Sequence, residues 1–265
     1  MAYLNVKQLD ELSTMIQSDN ESRPPRPSWV QVYRELVEWA VLFDIVRSKD
    51  FGTDTLIVFD GLLRSKVFAQ DLFGKLLKGF REAIEQHLKK RRKIYLTGVA
   101  KHSQVYTRYR LAMALERVLT TDYPAYLEIP REIEKKAYRW AEFARGSEDQ
   151  GEGEANKYVG GKMFFVKFGS KPRDPVWPID IFEPQASEAQ TILGCMLADA
   201  INGFPVPFYP QCLQRAHENA ALVDFDFDIL QDYIFEGVRD LLGDQGPALD
   251  VFRLQDADPA QRRYD

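Results

Sequence analysis

Several residue types that mark whole classes of protein are scarce in this chain. Its 265 residues include only two cysteines, Cys195 and Cys212, and both fall within apolar or helical patterns. Disulfide-based domains are rich in cysteine, so reduced thiols in a cytoplasmic protein are the better interpretation. A zinc site built on cysteine is not expected.

Long apolar runs are lacking as well. No stretch approaches the roughly 20 apolar residues that are needed to span a bilayer. The amino terminus, Met-Ala-Tyr-Leu-Asn-Val-Lys, does not have the charged and then apolar order of a signal peptide. We therefore expect a soluble protein without a membrane partner.

Positive charge is in short supply, with 35 lysines and arginines against 40 acidic residues and a net charge of -5. Sequence-independent DNA affinity comes mainly from basic side chains that neutralise phosphates. A DNA-binding role would thus need a local basic patch or a partner that delivers the DNA. Residues 87–93, His-Leu-Lys-Lys-Arg-Arg-Lys, are one candidate patch, and they equally suit a cationic helix C-terminus.

The order of the apolar patterns predicts an α/β fold. A content of 45% hydrophobic residues allows a sizeable core. The predicted domains are an N-terminal helix and loop (1–28), one main domain (29–243) and a polar tail (244–265). Helices are predicted over residues 5–18, 29–46, 73–88, 104–119, 131–145, 187–201, 211–222 and 227–242, and strands over residues 55–60, 93–99, 157–168 and 176–183.

Three features of this pattern concern how the elements are arranged. The first two strands enclose a helix, which predicts that they are parallel, and the last two read as a hairpin. The second half of the helix over 29–46 is apolar nearly all round, which predicts a helix covered on several sides. Residues 146–156 are acidic and glycine-rich and predict an exposed loop.

Asp60 is the first candidate for chemistry. It ends the run Thr-Leu-Ile-Val-Phe, which is typical of a central strand buried on both faces. Open α/β sheets bind ligands at the carboxyl ends of such strands, and a buried acid needs a partner or a cation. The alternative is an Asp-Gly turn that closes the strand. Phosphatases with Asp-x-Asp-Gly are excluded because Val58 stands where their nucleophile would be.

Glu38 and Lys101 are further candidates. Glu38 shares a helix face with apolar residues, which favours a bound cation, although a side chain that reaches out beside Arg34 fits equally well. Lys101 follows the second strand just before a helix, where a cation and backbone N–H groups can together hold a phosphate. A surface lysine in a turn is the commoner outcome. A nucleotide- or sugar-phosphate-binding protein that uses Lys101 would lack a glycine-rich phosphate loop.

His217 is the histidine that the pattern places toward the interior. It falls on the helical stripe of Leu213, Ala216 and Ala220. Such a histidine is more often a satisfied core residue than a ligand or a proton carrier.

These pieces in this order resemble the NurA family of DNA-end-processing nucleases. The matching elements cover roughly residues 30–222 and are Arg34-Glu-Leu-Val-Glu38, Asp60-Gly61-Leu-Leu, Gly98-Val-Ala-Lys101, Tyr209-Pro and Ala216-His217-Glu218. The resemblance implies an RNase H-like mixed sheet, hydrolysis of DNA with Mn²⁺ or Mg²⁺, a homodimer, and partnership with a HerA-type hexameric ATPase.

The resemblance also implies roles for single residues. Asp60 is similar to the family's strand-end metal ligand, Glu38 to its helix carboxylate, and His217 to the catalytic histidine near the metal. Lys101 would hold a flanking phosphate of the DNA. Hard cations such as Mg²⁺ and Mn²⁺ suit these carboxylates, and paired ions could activate water for phosphoryl displacement.

The sequence departs from the family pattern in two places. Family members carry an earlier strand that ends Asp-Gly-Ser and supplies another metal ligand, whereas residues 1–37 contain no Asp-Gly. Either the chain starts late relative to its relatives or the site is incomplete. Leu62 also replaces the usual serine. We therefore expect a metal-dependent deoxyribonuclease, with a catalytically inactive NurA-like partner of a translocase as the alternative.

Overall fold

A computed structural model describes residues 11–13, 29–69, 71–141, 158–220 and 224–242. The chain divides into two compact units, Met1–Gln214 and Arg215–Asp265. The predicted loop over 146–156 and the tail from 244 lie outside the described residues, as does most of the predicted helix over 5–18. The predicted domain bounds stay predictions.

The described chain alternates helices and strands. The helices are α1 (Trp29–Ser48), α2 (Leu72–Lys89), α3 (Gln104–Leu115), α4 (Arg131–Ala141), α5 (Ala189–Ala200), α6 (Gln211–Ala220) and α7 (Asp224–Leu242). The strands are β1 (Thr55–Asp60), β2 (Ile94–Val99), β3 (Ala125–Glu128), β4 (Gly161–Lys167) and β5 (Val176–Phe182). No helix among these residues is both long and apolar enough to cross a membrane.

The strands form one five-stranded open sheet in the order β1-β2-β5-β4-β3. β1 and β2 are parallel, and the other three neighbouring pairs are antiparallel. The predicted α/β class, the parallel pair and the β4–β5 hairpin are thus confirmed. β3 was not predicted, because its four residues, Ala-Tyr-Leu-Glu, are too few to give a period and are mostly exposed.

β1 lies at the edge of the described sheet, so the prediction of a central strand buried on both faces is wrong. Its first five residues are only half-buried, and Asp60 is exposed. Leu56 and Val58 pack on one face against the core below α5, while Ile57 and Phe59 pack on the other against α1 and α2. The apolar run therefore indicated two packed faces correctly, but β2 and β5 occupy the centre.

α1 packs through one face only. Trp39, Leu42 and Val46 are buried there. The centres of the Trp39 and Phe59 rings lie 5.2 Å apart. Val37, Val41 and Ile45, on the opposite side of the helix, are 38% to 52% exposed. The prediction that this helix is covered on several sides is therefore wrong within the described structure, where α1 forms an outer layer.

The chain that follows Asp60 crosses directly over β2. Gly61 N donates a hydrogen bond to Val99 O at 2.8 Å, and Gly160 N donates to Leu63 O at 2.7 Å. A Cβ atom on Gly98 would lie 2.2 Å from Gly61 O and 3.0 Å from Leu63 N. Gly98 is needed because a second backbone occupies the space where a side chain would stand.

The crossing segment is held at its far end by a buried ion cluster. The Arg64 guanidinium donates to both carboxylate oxygens of Asp180, at 2.6 and 2.9 Å, and to Glu134 at 3.0 Å. Arg131 donates to the same Glu134 oxygen at 2.9 Å. The Asp180 side chain is fully buried, and that of Glu134 is 3% exposed. Two cations thus compensate two carboxylates that have left water.

Burial raises the pKa of Glu134, and the neighbouring Arg64 and Arg131 partly counteract that rise. A carboxyl whose folded pKa is raised contributes stability below its usual pKa and loses it as the pH rises through the folded value. Glu134 is therefore expected to take up a proton more readily than a solvent-exposed glutamate when a cation is lost.

We predict that Gly98→Ala destabilises the protein by about 1–3 kcal/mol or more, because the new methyl group overlaps the backbone of Gly61. The matched control is Gly194→Ala in the exposed face of α5, where a Cβ meets nothing within 4 Å. That change is expected to stabilise by about 0.5–1 kcal/mol. Urea unfolding of both variants tests the pair, and equal effects would contradict the crossing.

We predict that Arg64→Met lowers the free energy of unfolding by about 3–5 kcal/mol at pH 7.5, because it leaves two buried carboxylates short of a cation. The loss should shrink as the pH falls toward 5, since Glu134 can then take up a proton. Arg47→Met is the control: Arg47 pairs with Asp44 at 3.1 Å on the surface. Its cost is expected to stay within about 1 kcal/mol at either pH.

Candidate functional site

Three side chains from separate elements meet at one end of the sheet. Asp60 ends β1, Lys101 follows β2, and Tyr209 belongs to the loop between α5 and α6. The Tyr209 hydroxyl donates to Asp60 Oδ1 at 3.4 Å, a long hydrogen bond. Lys101 Nζ lies 5.4 Å from the centre of the Tyr209 ring, within range of a cation–π interaction. Tyr209 therefore links the predicted acid with the predicted phosphate-binding lysine.

Tyr209 is fixed by its surroundings. Tyr209 is 1% exposed, and its ring packs edge-on against the ring of Trp177, which lies near the start of β5. The two ring centres are 4.9 Å apart. Burial and the nearby Asp60 carboxylate raise the pKa of Tyr209. The phenol thus stays protonated at neutral pH and acts as a hydrogen-bond donor toward Asp60.

Lys101 is positioned by the end of β2. Ala100 N donates to Pro178 O at 3.1 Å, which ties the chain to β5 just before the lysine. Lys101 itself is exposed, and two residues later Ser103 precedes the first turn of α3. The Ser103 hydroxyl is buried and has no hydrogen-bond partner among the described residues. The N–H groups of the first turn of α3 therefore lie close in sequence to an exposed cation.

Glu38 is placed differently from the prediction that it faces a cation over an apolar stripe. Its Oε1 lies 3.3 Å from Arg34 Nε, and its side chain is 44% exposed. This is the alternative interpretation, an acid that reaches out beside Arg34. Glu35, which the sequence did not single out, turns inward, accepts a 2.5 Å hydrogen bond from Ser65 Oγ, and has its pKa raised by burial.

The described residues do not fit a complete metal centre. Among them, no group of three or more His, Cys, Asp or Glu side chains is arranged so that it could hold an ion. Asp60 is one exposed carboxylate, and it accepts a hydrogen bond from the Tyr209 hydroxyl. A single carboxylate does not fix a divalent cation in the geometry that hydrolysis needs, so no catalytic step follows from these residues.

His217 lies in α6 within the second compact unit, and its side chain is exposed. Ala216 and Ala220 are exposed with it, so the predicted interior stripe is wrong at this end of the helix. α6 buries Leu213 and Gln214 near its start, and the apolar period that suggested a stripe consists of two alanines beyond them.

The basic run over 87–93 lies at the other end of the sheet. His87 is buried and its Nε2 donates to Val46 O at 2.8 Å, while Lys93 pairs with Glu188 at 2.9 Å. Lys93 precedes β2 and Lys101 follows it, so the full length of the strand separates this run from the site. α2 ends at Lys89, which supports the interpretation as a cationic helix C-terminus.

Tyr209 and Ser103 are the parts of this site that the sequence did not reveal. The Tyr209-Pro motif belonged to the resemblance, but no role followed from it. Its position beside Asp60 depends on the packing of the loop against Trp177, which no local pattern encodes. No protein-family model matches the chain, and comparisons with curated proteins and with solved structures gave no significant match.

Proposed function

We propose that this protein is a NurA-like, metal-dependent deoxyribonuclease whose substrate lies at the sheet end formed by Asp60, Tyr209 and Lys101. The observation that carries the proposal is the convergence of these three side chains where β1 and β2 end. Two motifs on which the resemblance rests, Asp60-Gly61 and Gly98-Val-Ala-Lys101, are in contact there through the crossing over Gly98.

The chemistry of the three side chains suits a phosphodiester. Lys101 supplies an exposed positive charge for a backbone phosphate, and the first turn of α3 supplies N–H groups nearby. Asp60 is a hard oxygen ligand of the kind that Mn²⁺ and Mg²⁺ prefer. Asp60 is one ligand of such a site, and the rest of the ligand set is part of the proposal.

The other features that the resemblance implies are also part of this proposal. They are the RNase H-like form of the sheet, the cytoplasmic setting, a homodimer and a HerA-type hexameric ATPase that delivers DNA. A translocase would help an acidic protein, because the net charge of -5 gives the chain as a whole little attraction for DNA.

A second candidate is a NurA-like subunit that binds DNA or a translocase without cutting. The observation in its favour is the surface ion pair of Glu38 with Arg34, which gives the predicted second ligand another partner. Calorimetry distinguishes the two functions. Binding of Mn²⁺ together with cleavage supports the nuclease, whereas DNA binding without Mn²⁺ binding or cleavage supports the non-catalytic subunit.

We predict that Asp60→Asn lowers manganese-dependent DNA degradation by at least about 100-fold, since it removes a direct ligand and the loss of outer partners alone costs about 10- to 100-fold. The control is Asp44→Asn, an exposed acid that pairs with Arg47 on α1. Melting temperatures show whether the fold is retained. Cleavage at the wild-type rate by the Asp60 variant would contradict the site.

We predict that Lys101→Ala weakens DNA binding at every sequence tested and lowers the slope of log affinity against log salt by about 1, as expected for one lost phosphate contact. Lys78→Ala on the exposed side of α2 is the control, because Lys78 lies 3.9 Å from Glu82 and away from the sheet end. An unchanged slope for the Lys101 variant would remove it from the site.

A further inference from the structure

The loop between α5 and α6 exposes apolar side chains beside the candidate site. Phe204 is 75% exposed and Ile201 58%, and the loop ends at the buried Tyr209. Isolated apolar residues on a surface are ordinary, so the exposure of Phe204 carries little meaning alone. What distinguishes it is the way in which its backbone is held and what lies next to it.

The backbone around Phe204 is tied to two glutamines of α6. Phe204 N donates to Gln211 Oε1 at 2.9 Å, and Val206 N donates to Gln214 Oε1 at 2.8 Å. The Gln214 amide donates in return to Val206 O at 3.2 Å and Tyr209 O at 3.0 Å. Gln214 is buried, and its bond to Tyr209 O is shielded from water. The loop is thus fixed by side-chain hydrogen bonds as well as by the packing of Tyr209 against Trp177.

Gly203 allows the loop to fold tightly, because backbone atoms of the same loop lie against it. A Cβ at this position would lie 2.5 Å from Tyr209 O and 2.8 Å from Val206 O. The chain therefore folds back on itself immediately before Phe204, and the aromatic ring is displayed on a backbone with little freedom. A rigid display lowers the ordering cost of binding a ligand.

Charge favours a nucleic acid as that ligand. The stretch from Ala200 to Gln214 contains no charged residue, in a chain with a net charge of -5. Within this stretch, the ring of Tyr209 lies next to the exposed Lys101 ammonium group. Gly203, the neighbour of Phe204, lies against Tyr209 O, so the loop that displays the Phe204 ring adjoins the exposed Lys101 cation. Proteins hold single strands by such a combination: bases stack on an aromatic ring while a cation neutralises a phosphate.

We propose that Phe204 is a stacking platform for an unpaired nucleobase of the DNA strand whose phosphate lies at Lys101. This inference rests on the proposed function and narrows its substrate to DNA that presents unpaired nucleotides. Covalently closed duplex DNA offers no free base face, so Phe204 contributes to binding of single strands and overhangs and not to binding of closed circular duplex.

The test uses the full chain and a fluorescent single-stranded oligonucleotide that contains 2-aminopurine, whose emission falls when it stacks. Phe204→Ala is expected to weaken binding by about 5- to 150-fold and to abolish the loss of 2-aminopurine emission, as for one lost base–aromatic stack. Phe204→Tyr should keep both. Ile201→Ala, at another large exposed side chain of the loop, should bind within about twofold of wild type.

A second binding measurement uses an oligonucleotide in which abasic sites replace the nucleotides that carry bases. Wild type and Phe204→Ala should bind it equally, because no base is left to stack. The melting temperature of each variant checks folding, and Phe204→Tyr keeps the test valid if the alanine variant is damaged.

Three results would overturn the inference. If wild type binds DNA and Phe204→Ala binds it equally well, the platform is wrong while the proposed function stands. If Ile201→Ala and Phe204→Ala weaken binding alike, the loop is a general apolar patch of the kind that contacts proteins. If wild type binds no DNA at all, the inference and the proposed function fail together.

Discussion

The described structure depends above all on the pairing of Arg64 with Asp180 and Glu134. Arg64 follows the crossing segment, Asp180 lies in the middle of β5, and Glu134 comes from α4, so one guanidinium joins three regions that are far apart in sequence. Arg131 completes the charge balance. Charges as deeply buried as these tolerate few arrangements, because each needs a partner at bonding distance. The cluster thereby fixes where the chain can run after it leaves β1.

The position of Asp60 follows from that path. The segment from Gly61 to Leu63 can lie over β2 only because Gly98 has no side chain, and its far end is anchored at Arg64. Asp60 is therefore held at the turn into this crossing, beside the end of β2 and within reach of Tyr209. An acid at an edge strand, exposed and touched by a protonated phenol, is easier to reach from solvent than the buried acid that the sequence suggested.

The sequence allowed the local elements to be predicted better than their arrangement. The run Thr55–Phe59 indicated a strand with two apolar faces, and packing confirmed both, but edge or centre is decided by strands far along the chain. Glu38 and Glu35 differ by three residues on one helix, and only the tertiary contact with Ser65 shows which of them turns inward. Tyr209, Arg64 and Asp180 could not be foreseen because their roles arise from long-range pairs, to which neither periodicity nor motif spacing responds.

The uncharged stretch from Ala200 to Gln214 has a consequence for how DNA would be held at different ionic strengths. Uncharged side chains neither gather nor release counterions, so contacts made by them keep their strength when added ions compete for phosphates. Lys101 offers the opposite kind of contact. A strand bound to both would pass, as the ion concentration rises, from being held mainly by its backbone to being held mainly by its bases.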